Sequence, residues 1–143
     1  MRILVLNGVN LNLTGTRSPE VYGRETLEDI NREIASHAAK LGADCDFFQT
    51  NFEGELVEAL HKARGVYDGI VLNAGAWTHY SYAIRDAIEA ISVPVVETHM
   101  SDITKREAFR ATSVIREVCA CTVMGLGKGS YLKAIEFLCK KIV

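Results

Sequence analysis

A buried strand, a polar loop and an amphipathic helix follow one another between residues 69 and 86, and this unit limits the possible folds more than any other. Gly69-Ile-Val-Leu is a short apolar run, typical of a strand covered on both faces. From Ser81 onward, the residues spaced to share one helical face are Ile84, Ala87, Ile88 and Ile91. Open α/β sheets place ligand-binding groups at the carboxyl ends of strands, so residues 73–79 form a candidate site. Helix capping by Thr78 or Ser81, with a surface His79, is the alternative.

Strand patterns alternate with helix patterns along the whole chain. Besides the strand at residues 69–72, we predict strands at residues 2–6, 43–48, 94–97 and 118–124. This alternation favours a parallel sheet with helices on both faces, because crossover connections are right-handed. The second strand alternates charged and apolar residues as an edge strand does, whereas the first, third and fourth are apolar. We therefore predict a single α/β domain over residues 1–143, a flavodoxin-like three-layer sandwich whose five-stranded parallel sheet has the order 2-1-3-4-5.

Three further helix patterns flank these strands. The first begins at the capping-box-like sequence Thr26-Leu-Glu-Asp29 and ends at Gly42. The last follows the glycine-rich turn at residues 125–129, which lacks the spacing of a P-loop, and Ser130 is its expected cap. The residues expected on the inner faces of the three helices are Leu27, Ile30, Ile34, Ala38 and Leu41, then Leu56, Leu60 and Ala63, then Leu132, Ile135 and Leu138.

Charge and hydropathy exclude several classes of function. The formal net charge is -2 and no run of Lys or Arg occurs, so we expect no nucleic-acid partner. No apolar stretch reaches the length of a membrane span, and Met1-Arg-Ile-Leu leads directly into a strand without a signal peptide. We therefore expect a cytoplasmic protein that does not bind membranes.

The four cysteines are expected to be core residues. Cys45, Cys119 and Cys121 fall in predicted strands and Cys139 falls in a helix, where cysteine acts as a small hydrophobic residue. Cys119 and Cys121 would point to one face of a strand, but no second Cys pair or nearby His completes a metal site. We expect no metal at these residues.

The predicted strand order brings three polar segments to one edge of the sheet, namely residues 7–25, 73–79 and 97–99. They carry a Tyr, two His and several amides, which suit proton transfer on an oxygenated small molecule. Carboxylates do not cluster as they would for a divalent metal. The polar residues brought together are Asn7, Asn10, Asn12, Arg17, Tyr22, Asn73, His79, Glu97 and His99.

Eight segments, spread in order from Leu6-Asn-Gly-Val-Asn-Leu-Asn-Leu13 to Gly125-Leu-Gly127, carry a family resemblance. They include Gly15-Thr-Arg-Ser-Pro-Glu-Val-Tyr-Gly23, Asn73-Ala-Gly-Ala-Trp-Thr-His79 and Val96-Glu-Thr-His-Met-Ser101. In these segments the chain resembles the type II 3-dehydroquinate dehydratases. The resemblance implies an anti elimination of water from 3-dehydroquinate to 3-dehydroshikimate through an enolate, in the shikimate pathway. It also implies that no Schiff base, metal or other cofactor takes part.

The resemblance assigns catalytic roles to five residues. Tyr22 matches the family's base, and Arg17 matches the cation that makes a phenol with an ordinary pKa near 10 usable at neutral pH. Asn10 matches the residue that helps hold water and charge at the developing enolate. His99 matches the general acid that protonates the departing hydroxyl, and Glu97, on the same side of the strand, would orient its imidazole.

Substrate-binding roles follow from the same resemblance. Asn73, His79 and Arg110 match groups that bind the hydroxyls and the carboxylate region of the substrate. The backbone N–H groups of Met100 and Ser101 match a carboxylate cradle, and backbone donors suit an anion.

Asp86 carries an implication about assembly. It lies on the third helix, on the side away from the apolar face, where a solvated charge is the ordinary interpretation. The resemblance implies instead that Asp86 reaches towards the active site of a neighbouring subunit in a trimer, and that four trimers form a homo-dodecamer.

Five positions depart from the usual pattern of the family, namely Val9, Phe52, Trp77, Asp102 and Thr112. None removes a proposed catalytic group, although Phe52 and Thr112 could alter the hydrogen bonds around the site. A flavin- or nucleotide-binding module and a phosphate-signalling receiver are the alternatives within the same fold. A receiver needs acidic residues at the ends of the first and third strands, where this chain has Asn7 and Asn73. Biosynthesis and quinate breakdown both remain open as physiological roles.

Overall fold

A five-stranded parallel sheet forms the centre of the fold. The structure, a computed structural model, describes residues 1–16, 20 and 23–142. The strands run in the order β2-β1-β3-β4-β5, as predicted, and every neighbouring pair is parallel. Their bounds are β1 (Arg2–Asn7), β2 (Asp44–Gln49), β3 (Gly69–Asn73), β4 (Val95–His99) and β5 (Cys121–Met124). The predicted flavodoxin-like α/β fold is confirmed.

Four helices in the described part of the chain cover the two faces of this sheet. They are α1 (Leu27–Lys40), α2 (Glu53–Lys62), α3 (Tyr82–Ile91) and α4 (Gly129–Ile142). Side chains alternate between the faces of a strand, so Ile3 and Val5 pack against α1 and α4 while Leu4 and Leu6 pack against α2 and α3. Among the described residues, no helix has the length and apolar character needed to cross a membrane.

The helix starts at Thr26 and Ser81 agree with the sequence prediction. The Thr26 hydroxyl accepts a hydrogen bond from the backbone N–H of Asp29, and the Asp29 carboxylate accepts one from the N–H of Thr26. Ser81 caps α3 by accepting from the N–H of Ile84 at 3.1 Å. Thr78 is buried and does not cap this helix.

Three local predictions are wrong. Leu41 is 44% exposed because α1 ends at Lys40, which places Leu41 in the cap rather than on the inner face. Cys119 is not in a strand. It follows the 3-10 turn of residues 116–118, and β5 begins only at Cys121. Ser130 lies inside the first turn of α4, where its hydroxyl accepts from the N–H of Leu126 instead of capping the helix.

The cysteines are all free; Cys139 is buried and the other three are half-buried. Burial raises the pKa of the Cys45 thiol to about 11 and that of Cys119 to about 12. These thiols are therefore neutral and unreactive near pH 7.

Candidate active site

The carboxyl ends of β1, β3 and β4 meet below a cavity of about 170 Å³. Asn7 and Asn73 are directly paired in the β1–β3 register, at the point where the strand order reverses. This is the position at which open α/β sheets bind ligands. The cavity is lined by Val9, Asn10, Leu11, Thr14, Gly15, Asn73, Gly75, Ala76, His79, His99, Met100, Ser101, Ile103, Arg106 and Arg110.

Two glycines let the segments after β1 and β3 come together beside this cavity. The N–H of Gly8 donates to the Asn73 carbonyl at 2.8 Å, and a Cβ on Gly8 would lie only 2.6 Å from the Ala74 oxygen. Gly75 has φ of +63°, and a Cβ there would lie 2.8 Å from the Val9 oxygen. Glycine at both positions therefore allows Asn10 and Asn73 to line the same cavity.

Asn10 is held in a left-handed backbone conformation, with φ of 68°, at the start of the 3-10 turn Leu11–Leu13. Its backbone N–H donates to the side-chain oxygen of Asn51 at 2.8 Å. Gln49, at the end of β2, donates to the same Asn51 oxygen and to the carbonyl of Gly8. These bonds attach the turn to the sheet. The Asn10 side chain does not cap the turn, and Asn10 lines the cavity.

A buried tyrosine fixes the two strand-end asparagines. The Tyr131 hydroxyl donates to Asn7 Oδ1 at 2.6 Å and accepts from Asn73 Nδ2 at 2.9 Å. Asn73 Oδ1 in turn accepts from the N–H of Gly75. Burial raises the pKa of Tyr131, so its hydroxyl keeps its proton and remains a donor. The orientation of the Asn73 amide at the cavity is therefore set by groups beneath it.

His99 and Glu97 form a buried pair at the end of β4. His99 Nε2 lies 2.7 Å from Glu97 Oε2, and the two residues are 5% and 0% exposed. They point to the same side because strand residues two apart share a face. The predicted contact between Glu97 and the imidazole is confirmed. His99 borders the cavity, and Glu97 lies behind it.

The second carboxylate oxygen of Glu97 accepts two further hydrogen bonds. Glu97 Oε1 accepts from Arg116 Nε at 3.2 Å and from the Thr122 hydroxyl at 2.9 Å. Burial opposes ionisation of Glu97, but the hydrogen bond and charge of His99 outweigh it, with smaller contributions from the Ser113 hydroxyl and the charge of Arg116, and lower the pKa to about 2. Glu97 is therefore a carboxylate near pH 7, which means that His99 Nε2 is the donor in their bond.

His79 and Arg110 also line the cavity. His79 Nδ1 lies 2.7 Å from the Thr112 carbonyl, which can only accept, so Nδ1 carries the proton. Arg110 pairs with Glu107 and stacks over the ring of Phe109 at 4.7 Å. Thr112 contributes a backbone oxygen that any residue would supply, so its departure from the family pattern leaves this bond intact.

Met100 and Ser101 extend the wall from the end of β4. The Met100 carbonyl accepts from the N–H of Gly127, which ties this segment to the turn before α4. Next to it, Asp102 accepts from the N–H and hydroxyl of Thr104, so this family departure serves a local turn. Phe52, another departure, is 69% exposed at the start of α2 and does not line the cavity.

The cavity brings together seven of the predicted site residues: Asn10, Asn73, His79, His99, Met100, Ser101 and Arg110. Asp86 lies on the exposed face of α3 and is not among the residues that line the cavity of this chain. The predictions for Arg17 and Tyr22 fall on positions outside the described residues.

Several contributors were missed by the sequence analysis. Arg106 lines the cavity, and its spacing of four from Arg110 in a polar segment is a signal that could have identified it. Arg116, Thr122 and Tyr131 act from behind the site, and no local sequence pattern marks them. The described residues contain no group of three His, Cys, Asp or Glu placed to hold a metal ion.

These groups suit a small anionic molecule that carries hydroxyls. Arg106 and Arg110 supply positive charge, and the amides of Asn10 and Asn73 supply neutral hydrogen-bonding groups. The carboxylate-bound imidazole of His99 can give a proton to, or take one from, a molecule in the cavity.

Comparisons with known proteins agree with this chemistry. A family profile described as Dehydroquinase class II matches residues 1–139. The chain is 59% identical over 140 residues to a 3-dehydroquinate dehydratase of Pelodictyon phaeoclathratiforme, an alignment covering 96% of this chain and 91% of the relative. It is 50% identical to that of Bacillus subtilis, covering 94% and 91%. The crystal structure of a type II dehydroquinase from Butyrivibrio crossotus superposes with a TM-score of 0.93 at 40% identity, covering 96% and 97%.

Proposed function

This chain belongs to the class II dehydroquinase family, and from that membership we infer that it is a hydro-lyase that converts 3-dehydroquinate to 3-dehydroshikimate in the shikimate pathway. The match over residues 1–139 carries this conclusion. The buried Glu97–His99 pair beside the cavity supplies a group suited to the proton transfer that the reaction requires.

The reaction needs a base, a group that stabilises an enolate, and an acid. The base removes a proton from the carbon beside the carbonyl, and the electrons of the broken C–H bond form the enolate. Those electrons then form the new C=C bond as the carbonyl is restored and the β-hydroxyl leaves. The acid gives its proton to that hydroxyl, so the product of the departure is water.

We assign the acid to His99. Its Nε2–H is bound to Glu97, which leaves Nδ1 as the ring nitrogen that can exchange a proton with the substrate. A proton on Nδ1 can pass to the departing hydroxyl while the Nε2–H stays bound to the Glu97 carboxylate. His99 is a catalytic residue in this scheme, and Glu97 orients it.

We assign the base to Tyr22, with Arg17 favouring its phenolate, and enolate stabilisation to Asn10. The first two assignments rest on the family resemblance, since both positions lie outside the described residues. The assignment of Asn10 also has geometric support, because Asn10 and His99 line the same cavity.

We assign substrate binding to the remaining cavity groups. The Asn73 amide and the His79 ring have fixed orientations and would hydrogen-bond to the hydroxyls of the substrate. Arg110 and the backbone of Met100 and Ser101 would hold the carboxylate region.

We also propose a single catalytic domain over residues 1–143 that assembles into trimers and then a dodecamer in the cytoplasm, without a metal or other cofactor. Sheet strands come from both the start and the end of the sequence, which supports one domain. Asp86 is exposed in the single chain, as a residue that reaches a neighbouring subunit would be.

Ultraviolet absorbance of the conjugated enone product tests the activity. We expect turnover of 3-dehydroquinate that survives chelation and treatment with borohydride in the presence of substrate. Tyr22→Phe should lose turnover by at least about a hundredfold, because a base contributes about 10² to 10⁴-fold. Tyr67→Phe, outside the cavity, is the control. Absence of turnover by the parent protein would contradict the proposed reaction, and near-normal turnover of Tyr22→Phe would contradict its role as base.

Light scattering combined with activity tests the assembly. We expect a dodecamer mass, with activity lost in step with trimer dissociation in a mild denaturant series. Asp86→Ala should weaken substrate binding or assembly, whereas Glu89→Ala, an exposed carboxylate on the same helix, should not. A fully active monomer would refute the shared site.

A further inference from the structure

Arg116 contacts the catalytic pair without lining the cavity. We propose that Arg116, assisted by Thr122, is a positioning residue for the acid: it fixes the Glu97 carboxylate in the orientation that holds His99. The inference rests on the proposed function, because it concerns how the proposed acid is kept ready to react.

The bonds to Glu97 leave its carboxylate no freedom to rotate. Oε2 faces His99 Nε2 at 2.7 Å, while Oε1 accepts from both Arg116 Nε and the Thr122 hydroxyl. Rotation about the bond to the carboxylate would break all three contacts. The two donors on Oε1 therefore fix the angle at which the other oxygen faces the imidazole.

The charge of Arg116 is directed at Glu97 alone among the described carboxylates. Arg116 begins the 3-10 turn Arg116–Val118 before β5, and its side chain is 38% exposed. Its Nη2 is buried and has no hydrogen-bond partner within the described part of the chain. The adjacent Glu117 pairs with Arg85 at 3.3 Å instead. Glu97 is thus the one carboxylate, among the described residues, that pairs with the Arg116 guanidinium.

The position of Arg116 beside Glu97 affects which member of the Glu97–His99 pair holds the shared proton. A buried carboxyl beside an imidazole can exist as a neutral pair or as an ion pair, and a second cation next to the carboxyl favours the ion pair. The titratable groups that face Glu97 are His99 on its own strand, Arg116, and Cys119, whose thiol is neutral. Arg116 therefore adds to the effect of His99 in keeping Glu97 ionised, so that Nε2 donates to the carboxylate and Nδ1 serves the substrate.

Steady-state kinetics of Arg116→Met, with Arg85→Met as the matched control, test this role. Arg85 is also a partly buried arginine, bonded to the nearby Val114 carbonyl, but it does not touch Glu97. We expect Arg116→Met to lower kcat by about tenfold, part of the effect of a general acid, with KM within about twofold because Arg116 does not contact substrate. In Arg116→Met the acid limb of the pH–rate profile should move to higher pH, because Glu97 protonates at higher pH without the charge of Arg116. Arg85→Met should keep the parent kcat and pH profile.

Conservative variants separate positioning from packing. Arg116→Lys keeps the positive charge and should restore the position of the acid limb, with kcat between those of the parent and Arg116→Met. Thr122→Val keeps the shape of the side chain but removes its bond to Oε1, and it should lower kcat by a few fold with no change in KM. If Arg116→Met does not fold, these two variants decide: a parent-like kcat and pH profile in both would overturn the proposal.

A spectroscopic readout is independent of turnover. In protein carrying ¹⁵N-histidine, the Nε2–H of His99 should give a slowly exchanging, downfield proton signal that disappears or exchanges faster in Arg116→Met but persists in Arg85→Met. Persistence of this signal and of the parent pH profile in a folded Arg116→Met would overturn the inference. Absence of dehydratase activity in the parent would overturn the proposed function instead, and the signal would still test the link from Arg116 to His99.

Discussion

The polar groups around the cavity come from two regions that are held in different ways. The strand-end group, Asn7, Asn73, Glu97 and His99, is at most 5% exposed, and its members bond to one another or to side chains beneath them. The loop group, Asn10, Arg106 and Arg110, lies on irregular segments and is exposed or half-exposed. Arg110 is held by a surface carboxylate and an exposed ring.

This contrast separates two tasks within one site. Hydrogen bonds in a buried, low-dielectric region hold the strand-end group rigidly and are costly to break, which suits groups that must meet a reacting atom at a fixed angle. Exposed groups in loops can adjust around a ligand, which suits recognition of its charge and hydroxyls. Variants in the strand-end group should therefore have much larger effects than variants among the partners of the loop group.

The largest effect is expected for Glu97→Gln. The amide keeps the size of the side chain, but its NH2 group cannot accept the hydrogen bonds that a carboxylate oxygen accepts from His99, or from Arg116 and Thr122. We expect kcat to fall by about 10² to 10³-fold, within the range of general acid catalysis, with a smaller change in KM. Steady-state kinetics by enone absorbance would measure it. A loss below about threefold would show that the buried pair does not serve the chemistry.

The second expected effect is a pH dependence of stability that Glu97 contributes. Its pKa falls from an ordinary 4.5 to about 2 in the folded chain, so its stabilisation is present above pH 4.5 and lost as the pH falls to about 2. The shift corresponds to about 3 kcal/mol. Urea unfolding of the parent and of Glu97→Gln should give free energies of unfolding that converge over this interval. Curves that stay parallel would contradict the lowered pKa.

The third expected effect is loss of stability in Tyr131→Phe. Removing the hydroxyl leaves Asn7 Oδ1 and Asn73 Nδ2 buried without their partner, at a cost of about 1–3 kcal/mol. KM should rise because the Asn73 amide keeps only its bond from the Gly75 N–H. Tyr67→Phe is the matched control, since the Tyr67 hydroxyl bonds to the exposed Asp46 and should matter less. Equal losses in the two variants would remove the distinction between buried and exposed networks.

The strand-end group could be predicted from the sequence to a large extent. Apolar runs identified β1, β3 and β4, strand order placed their carboxyl ends together, and the two-residue spacing of Glu97 and His99 put both on one face. The buried side chains that bond to this group from behind could not be predicted in this way. Tyr131 lies 124 positions after Asn7, and only the packing of α4 against the sheet brings them together.

Local errors in the prediction have a common cause. Periodicity reports which residues can share a face, but it does not report where backbone hydrogen bonding stops. Leu41 fits the apolar period of α1 but lies beyond its last turn, and Cys119 fits a strand pattern but precedes β5. Within the loop group, the bond from Asn10 to Asn51 is a tertiary contact that periodicity does not encode.

The smallest effect is expected for Glu107→Gln, which removes the carboxylate that pairs with Arg110. The hydrogen bond from Arg110 lowers the pKa of Glu107, but this carboxylate is exposed to solvent, where an ion pair contributes little. Arg110 also remains stacked over Phe109, so its guanidinium keeps one of its two supports. We expect kcat/KM within about twofold of the parent, with a similar salt dependence. A loss in kcat/KM as large as that of Glu97→Gln would mean that the loop group is held as strictly as the strand-end group, and the division of tasks between the two regions would then be wrong.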